Sequence, residues 1–265
     1  MKNLVKYEDW RTEKIKGDVV THEELGHPNE LVIENALLVT TKESLAINQI
    51  EYGNPPIEFV ELSNKTDDHI KNWFIKSGLI KKIKNEAPLN DSSITKNDLQ
   101  VLLEKTSKAT AEEITFARYV DDVSNLAQTF IDLLKENGYE ESMGGFFSID
   151  HQVESLLFFL KDIINRPRPY QLAKSFNLSL YPLMRTDAMT ASYPSGHALT
   201  AFIMSEHYAR KYSEISDKLL ALGEKIANSR ELTGIHFPSD TQISKEICKI
   251  ICNNNLLSEK YEGKE

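Results

Sequence analysis

The sequence predicts an all-α protein, a helical bundle over residues 66–265 behind a small N-terminal appendage, residues 1–65, that reads as a short hairpin or irregular arm. Three observations point this way. Beyond residue 66, apolar residues recur in steps of three and four, the period of one buried helix face. Between these segments stand Pro, Gly and Asn-Gly stops at helix spacing. Alternating β-branched residues are confined to residues 30–41 and 57–62, on either side of Gly53-Asn-Pro-Pro56, and so only the appendage is expected to hold short strands.

Taken in order, residues 1–20 carry acidic residues where an export signal needs an apolar run of about 7 to 15, so a cytoplasmic location is expected. His22 and His27 flank Glu23-Glu24 without a further ligand set and read as a solvated loop, not a metal site. A helix is expected over residues 67–84 through Ile70, Trp73, Phe74, Leu79 and Ile80, then a loop with Pro88, then a short helix over residues 98–105. Phe116, Val120, Val123, Ala127, Phe130 and Leu134 follow as the face of one continuous core helix that stops at Asn137-Gly138. Gly144-Gly145 turns the chain into the next helix, where Val153, Leu156, Leu157, Leu160 and Ile164 face inward. Residues 170–192 form a long connection expected to wall a pocket, with Arg185 read as a surface residue. The last helices carry Leu199, Phe202, Ile203 and Met204, then Ile215, Leu219, Leu222 and Ile226, and finally Cys248 and Cys252, which read as small buried apolar residues. The tail beyond Asn253 is polar and is expected to fray.

A chain of 265 residues buries a core without staples, and two cysteines fit a reducing compartment. The net charge of −9 argues against a nucleic-acid partner, so an anionic substrate must be drawn by a local cationic pocket. No apolar run approaches the ~20 residues that cross a bilayer.

Three segments concentrate the chemistry. In the third, Ser229-Arg230 precedes His236 and Asp240. A neutral imidazole is a competent nucleophile toward phosphorus, and a carboxylate on its far nitrogen fixes the tautomer. Arg230 continues the apolar face of its helix and therefore points inward, where a planar fork suits two oxygens of an anion. Pro238 followed by Ser239-Asp-Thr-Gln242 reads as a helix start with a capping box, which holds Asp240 in a first turn. In the second segment, Pro194-Ser-Gly opens a helix whose first amides are free to meet an anion; Ser195 adds a hydroxyl, Gly196 permits close approach, and His197 is placed to protonate a leaving oxygen and then activate water. The first segment, Lys161-Asp-Ile-Ile-Asn-Arg-Pro-Arg168-Pro169, sets Lys161 and Arg168 seven residues apart on one helical face, with the prolines holding Arg168 extended. Arg166 lies off that register and is expected to tolerate lysine. With Arg230 the cations number three, enough to offset a phosphate dianion, and the whole reads as a phosphoryl-transfer site.

These segments resemble the signature of the type 2 phosphatidic-acid phosphatase and vanadium haloperoxidase superfamily: Lys161 with Arg168-Pro169, Pro194-Ser-Gly-His197, and Ser229-Arg230 with His236 and Asp240. Asn165-Arg-Pro-Arg-Pro169 and Ser192-Tyr-Pro-Ser-Gly-His197 look most like the soluble bacterial class A acid phosphatases. The resemblance covers about residues 110–255. It implies the superfamily's helical bundle and a metal-free, cofactor-free phosphatase with His236 phosphorylated, Asp240 orienting it and His197 as general acid. It further implies phosphate contacts from Lys161, Arg168, Ser195, Gly196 and Arg230, with a small phosphorylated molecule as substrate. The helix after Asp240 departs from the pattern in lacking a glycine common among relatives. Two other readings are a vanadium-dependent haloperoxidase, since the same cradle binds vanadate, and a phosphometabolite-binding protein without turnover. Two intact histidines argue against the latter. The substrate and any homo-oligomeric state are left open by the residues alone.

Overall fold

The computed structural model describes residues 46–65, 68–184 and 189–258; the expected strand at residues 30–41, His22, His27, Arg185 and residues 259–265 of the terminal tail lie outside them. Residues 254–258, expected to fray, are held instead, with Leu256 and Leu257 packed on the core and the Ser258 amide donating to the Gln152 side chain at 2.7 Å. Every bounded element among the described residues is helical. The fold is built from α1 (Ile57–Ser63), α2 (His69–Lys76), α3 (Leu79–Glu86), α4 (Ser93–Lys108), α5 (Ala111–Tyr119), α6 (Val123–Glu136), α7 (Met143–Ile164), α8 (Pro169–Ala173), α9 (Gly196–Lys211), α10 (Ser216–Leu232) and α11 (Pro238–Asn253).

Two sequence-based boundaries are corrected by turn chemistry. The helix expected over residues 67–84 is broken at Gly78, which takes the left-handed conformation (φ 76°) between α2 and α3. The single core helix expected from Phe116 to Leu134 is broken at residues 120–122. There Asp122 caps α6, its carboxylate accepting the amides of Ser124 at 2.7 Å and Asn125 at 3.4 Å. Val120 in the corner and Ala127, Phe130 and Leu134 on α6 are all buried as expected, while Phe116 lies on the separate helix α5. The alternating stretch at residues 57–62 is not a strand: it forms α1, which lies on α7 with Phe59 and Phe158 ring centroids 4.7 Å apart. The helix placed over residues 98–105 runs the full length of α4, capped by Ser92. Gly144 and Gly145 lie inside α7, whose cap Ser142 accepts the Gly145 amide at 3.0 Å.

Helix α7, at 22 residues, spans about 33 Å and is the post against which the bundle is assembled. Its buried face of Val153, Leu156, Leu157 and Leu160 joins Phe130 from α6, Leu199 and Ile203 from α9, Ile226 from α10 and Ile247 from α11 in the larger core. Helices α9 and α10 approach closely because Gly223 has no side chain: a Cβ there would stand 2.8 Å from the Ser205 Cβ and 3.1 Å from the Ala201 carbonyl oxygen. A smaller core gathers Ile47, Leu99, Leu102, Leu103, Leu172, Phe176 and Phe237. Residues before α1 take part in it through Ile47, and the Tyr52 amide bonds the Asn165 carbonyl at 3.1 Å. The chemistry-bearing segments lie where these two cores meet. No helix among the described residues is long and apolar enough to cross a membrane.

Candidate active site

Helix α7 delivers Lys161 in its last turn and ends at Asn165, whose left-handed conformation (φ 49°) turns the chain. Arg168 then stands extended as the cap of α8, ahead of Pro169. Lys161 and Arg168 therefore do not share a helical face; the reversal at Asn165 brings them to one cavity.

That cavity, of about 770 Å³, is lined by Lys161, Arg168, Thr190, Gly196, His197 and His236 at its cationic end. Val123, Leu126, Val153, Leu157 and Phe158 line it too, together with carboxylates that include Asp121 and Asp150. Ser195 and Arg230, expected in the same cradle, are fully buried behind this lining. Both hold a donor with no partner among the described residues, the Ser195 hydroxyl and the Arg230 Nε. Buried donors of this kind call for an acceptor.

His236 follows the left-handed Gly234 (φ 72°) at the end of α10. Its Nε2 lies 2.8 Å from an Arg168 terminal nitrogen and its Nδ1 lies 3.2 Å from Asp240 Oδ2. Arginine can only donate, so Nε2 accepts with its lone pair and the ring proton sits on Nδ1, donated to Asp240. Burial, then the Arg168 charge, lowers the His236 pKa well below that of a free imidazole, against the pull of Asp240, so the ring is neutral.

Asp240 is the third residue of α11, where its Oδ2 reaches back to the Phe237 amide at 2.9 Å. The cap of α11 is thus Phe237 with Pro238 in the first position, two residues before the Ser239 cap of the Ser239–Gln242 box read from the sequence. The same oxygen accepts the Ser192 hydroxyl, while Oδ1 accepts from Arg166 at 2.6 Å. Burial by itself would raise the Asp240 pKa; Arg166 first, and then His236 and Ser192, hold it below the usual carboxylate range.

His197 is held differently. Its Nε2 lies 2.7 Å from the backbone carbonyl of Asp121, at the corner between α5 and α6. A carbonyl only accepts, so this ring carries its proton on Nε2, the opposite tautomer to His236. Burial and the nearby Arg230 push its pKa down to about 4, with Asp121 opposing.

The cations are anchored by protein oxygens. Arg168 places Nε and one terminal nitrogen on the Thr190 carbonyl at 3.0 and 2.9 Å, and its other terminal nitrogen on Ile235 at 3.0 Å. Arg230 donates to the Ala117 carbonyl at 3.0 Å and to the Asp121 carboxylate. Lys161 bonds the Ala191 carbonyl at 2.5 Å, and burial followed by the Arg168 charge lowers its pKa well below the usual ammonium value. Neither arginine offers an open fork, contrary to the reading from residue type. Their guanidinium groups are aimed by backbone, which leaves charge and single N–H groups for a ligand.

The segments are also tied to one another. The Ser195 amide bonds the Asp240 carbonyl at 3.2 Å, and the Ser244 hydroxyl lies 2.8 Å from both the Ser195 and Asp240 carbonyls. The Ser192 amide bonds the Arg166 carbonyl at 2.9 Å.

Five residues that sequence reasoning passed over belong to this framework: Arg166, Ser192, Ser239, Thr190 and Asp121. Arg166, read as lying off the clamp register, is buried with its side chain against Asp240. Asp122, a favoured cap residue directly ahead of Val123, is the sign of the corner that the sequence carries, although the apolar step runs through it unbroken. Cys248 and Cys252 are buried free thiols, as read. No group of three or more His, Cys, Asp or Glu among the described residues is arranged to hold a metal ion.

No curated protein matches the chain. Residues 153–251, the stretch from α7 to α11 that carries Lys161, Arg168, both histidines, Arg230 and Asp240, match the model of the PAP2 superfamily, which supports a phosphoester hydrolase or a haloperoxidase-like activity.

Proposed function

We propose that this protein hydrolyses a phosphomonoester, or a related phosphoanhydride, through a phosphohistidine at His236. The observation that carries this reading is the Nε2 lone pair of His236, set by Arg168 and Asp240 at the wall of a cavity that His197 also lines. In the first step, with His197 protonated, the His236 lone pair attacks phosphorus as the Arg168 N–H it had accepted passes to a phosphate oxygen, the P–O ester bond breaks, and the His197 imidazolium gives a proton to the leaving oxygen and becomes neutral. The Nδ1 proton stays between His236 and Asp240, whose charge supports the imidazolium. In the second step His197 takes a proton from water as the water oxygen attacks phosphorus, and cleavage of the P–N bond releases inorganic phosphate and restores His236. Charge gathering on the equatorial oxygens meets Lys161, Arg168 and Arg230, the Ser195 hydroxyl and the first amides of α9, including that of Gly196. A bound dianion also favours protonation of Lys161 and His197, whose pKa values burial and neighbouring cations lower. Each of these roles falls to a side chain or a backbone amide of the chain itself, so a chelator is expected to leave turnover intact. The motifs favour a class A acid phosphatase over a lipid phosphatase.

The test is a turnover assay on p-nitrophenyl phosphate with His236→Ala and His197→Ala. His236→Ala is expected to lose all turnover. His197→Ala is expected to accumulate acid-labile, base-stable label on His236. Stoichiometric label at Ser195, or activity that vanishes in chelator and returns with a divalent ion, would reject the mechanism. Peroxide-dependent halide oxidation on adding vanadate, without phosphate release, would move the reading to a haloperoxidase.

A further inference from the structure

We infer that Arg166 is a positioning residue for the nucleophile: it holds Asp240 ionised and aimed, and through Asp240 it sets which nitrogen of His236 keeps the lone pair. The inference rests on the reading of His236 as nucleophile given above. Arg166 is 3% exposed and is not among the residues that line the cavity. One terminal nitrogen donates to Asp240 Oδ1 at 2.6 Å and to the Ser239 hydroxyl at 2.7 Å. The other donates to the Thr95 hydroxyl at 3.0 Å and stands 3.8 Å from Asp98 Oδ2. Its guanidinium plane lies 3.9 Å from the Phe237 ring centroid and 5.9 Å from that of Tyr193. Helix α4 thus fixes one edge of the guanidinium and the start of α11 receives the other. Ser239 completes the frame by donating to Asp98 Oδ2 at 2.5 Å.

The division of labour on Asp240 gives Arg166 its weight. Oδ2 is shared among Ser192, the Phe237 amide and His236 Nδ1, whereas Arg166 is the partner of Oδ1 among the described residues. Asp240 is fully buried, and an ionised carboxylate there needs a counter-charge. Without Arg166 the carboxyl would take a proton and donate it to Nδ1, leaving the ring proton on Nε2, with the Arg168 nitrogen there keeping only its bond to the Ile235 carbonyl. A ring in that tautomer has no lone pair for phosphorus. The titratable and charged groups facing His236 and Asp240 from the packed elements are Lys161 on α7, Arg168 at the start of α8, Asp98 on α4, Tyr193 ahead of α9, and Arg166 itself.

The experiment compares the full chain with Arg166→Gln and Arg166→Lys, reading the His236 tautomer from ring 15N shifts and kcat and KM on p-nitrophenyl phosphate. Wild type is expected to show Nδ1–H at His236, and Arg166→Gln a shift to Nε2–H. Disturbing an orienting carboxylate costs up to ~10⁴ in kcat, and Arg166 acts one bond further out, so a fall of roughly 100-fold is expected with KM within about threefold. Arg166→Lys keeps the charge and is expected to recover the tautomer and part of kcat. A retained Nδ1–H tautomer in Arg166→Gln, or a loss carried by KM, overturns the inference. Should the glutamine variant not fold, the lysine variant decides: an intermediate kcat at unchanged KM supports the role, and wild-type kcat or a raised KM rejects it. Because the tautomer is read without substrate, a wild-type protein lacking phosphatase activity would sink the proposed reaction and still leave this measurement decisive for Arg166.

Discussion

The two histidines of the cavity are placed by very different means. His236 is gripped at both nitrogens by side chains, Arg168 on one side and Asp240 on the other, and Asp240 is itself held by Arg166, Ser192 and a helix amide. Among the described residues His197 has one hydrogen bond, to a backbone carbonyl at the corner of α5 and α6, and its side chain retains 15% exposure. A nucleophile gains from a fixed lone pair, since attack tolerates little angular error. A group that must give a proton to one oxygen and take it from another gains from a weaker hold. On this view the network around Asp240 is built for rigidity and the corner at Asp121 for exchange.

The sharpest way to break the contrast is to damage each side in turn. Asp240→Asn is expected to cut kcat by about 10³- to 10⁴-fold for every substrate, roughly 4 to 5 kcal/mol, because the wrong tautomer of His236 disables attack whatever the leaving group. His197→Asn is expected to cost about 10²- to 10⁴-fold on alkyl phosphates and far less on p-nitrophenyl phosphate, whose leaving oxygen needs little protonation. A leaving-group dependence in Asp240→Asn matching that in His197→Asn would erase the distinction.

Acid titration separates the two sides next. Both rings have pKa values below that of a free histidine, His197 at about 4 through burial and Arg230, His236 through burial and Arg168. The unfolded chain therefore binds more protons than the folded one below about pH 6.5, so the stability of keeping the rings neutral is present above that pH and is lost as pH falls. For His197 the loss between pH 6.5 and about 4 amounts to roughly 3 kcal/mol. Denaturant unfolding at a series of pH values should show this slope, and His197→Asn should flatten part of it. A slope unchanged in that variant would count against a buried neutral His197. In kinetics, a bound dianion raises the His197 pKa, so the basic limb of kcat should lie at higher pH than that of kcat/KM. Arg168 and Asp121 also face this ring.

The smallest effect concerns the clip between the two sides. Ser244→Ala removes the hydroxyl that joins the Ser195 and Asp240 carbonyls and should lower stability by about 1 kcal/mol. Its kinetic effect should be modest and fall on the substrates that depend on His197. An equal loss on activated substrates would show that the clip also serves His236.

The sequence by itself determined the helical fold from its apolar periods, the delivery of Lys161 at a helix end, the inward aim of Arg230 and the place of Asp240 in a first helical turn. These are local properties: they depend on period, caps and proline, which a short stretch carries within itself. Tertiary structure decided the rest. The corner at residues 120–122 is invisible to periodicity because Val120 and Val123 keep the same apolar step whether or not the helix continues, and the cap formed by Asp122 ends the matter. An inward arginine likewise looks the same whether it awaits an anion or is held by the protein: Arg230 donates to Asp121, Arg168 to Thr190, and Arg166, dismissed for its register, to Asp240. Residue type and spacing specify charge and direction, but the partner of a buried charge comes from segments as far as 74 to 109 positions away, and only the packed chain brings them within hydrogen-bonding reach.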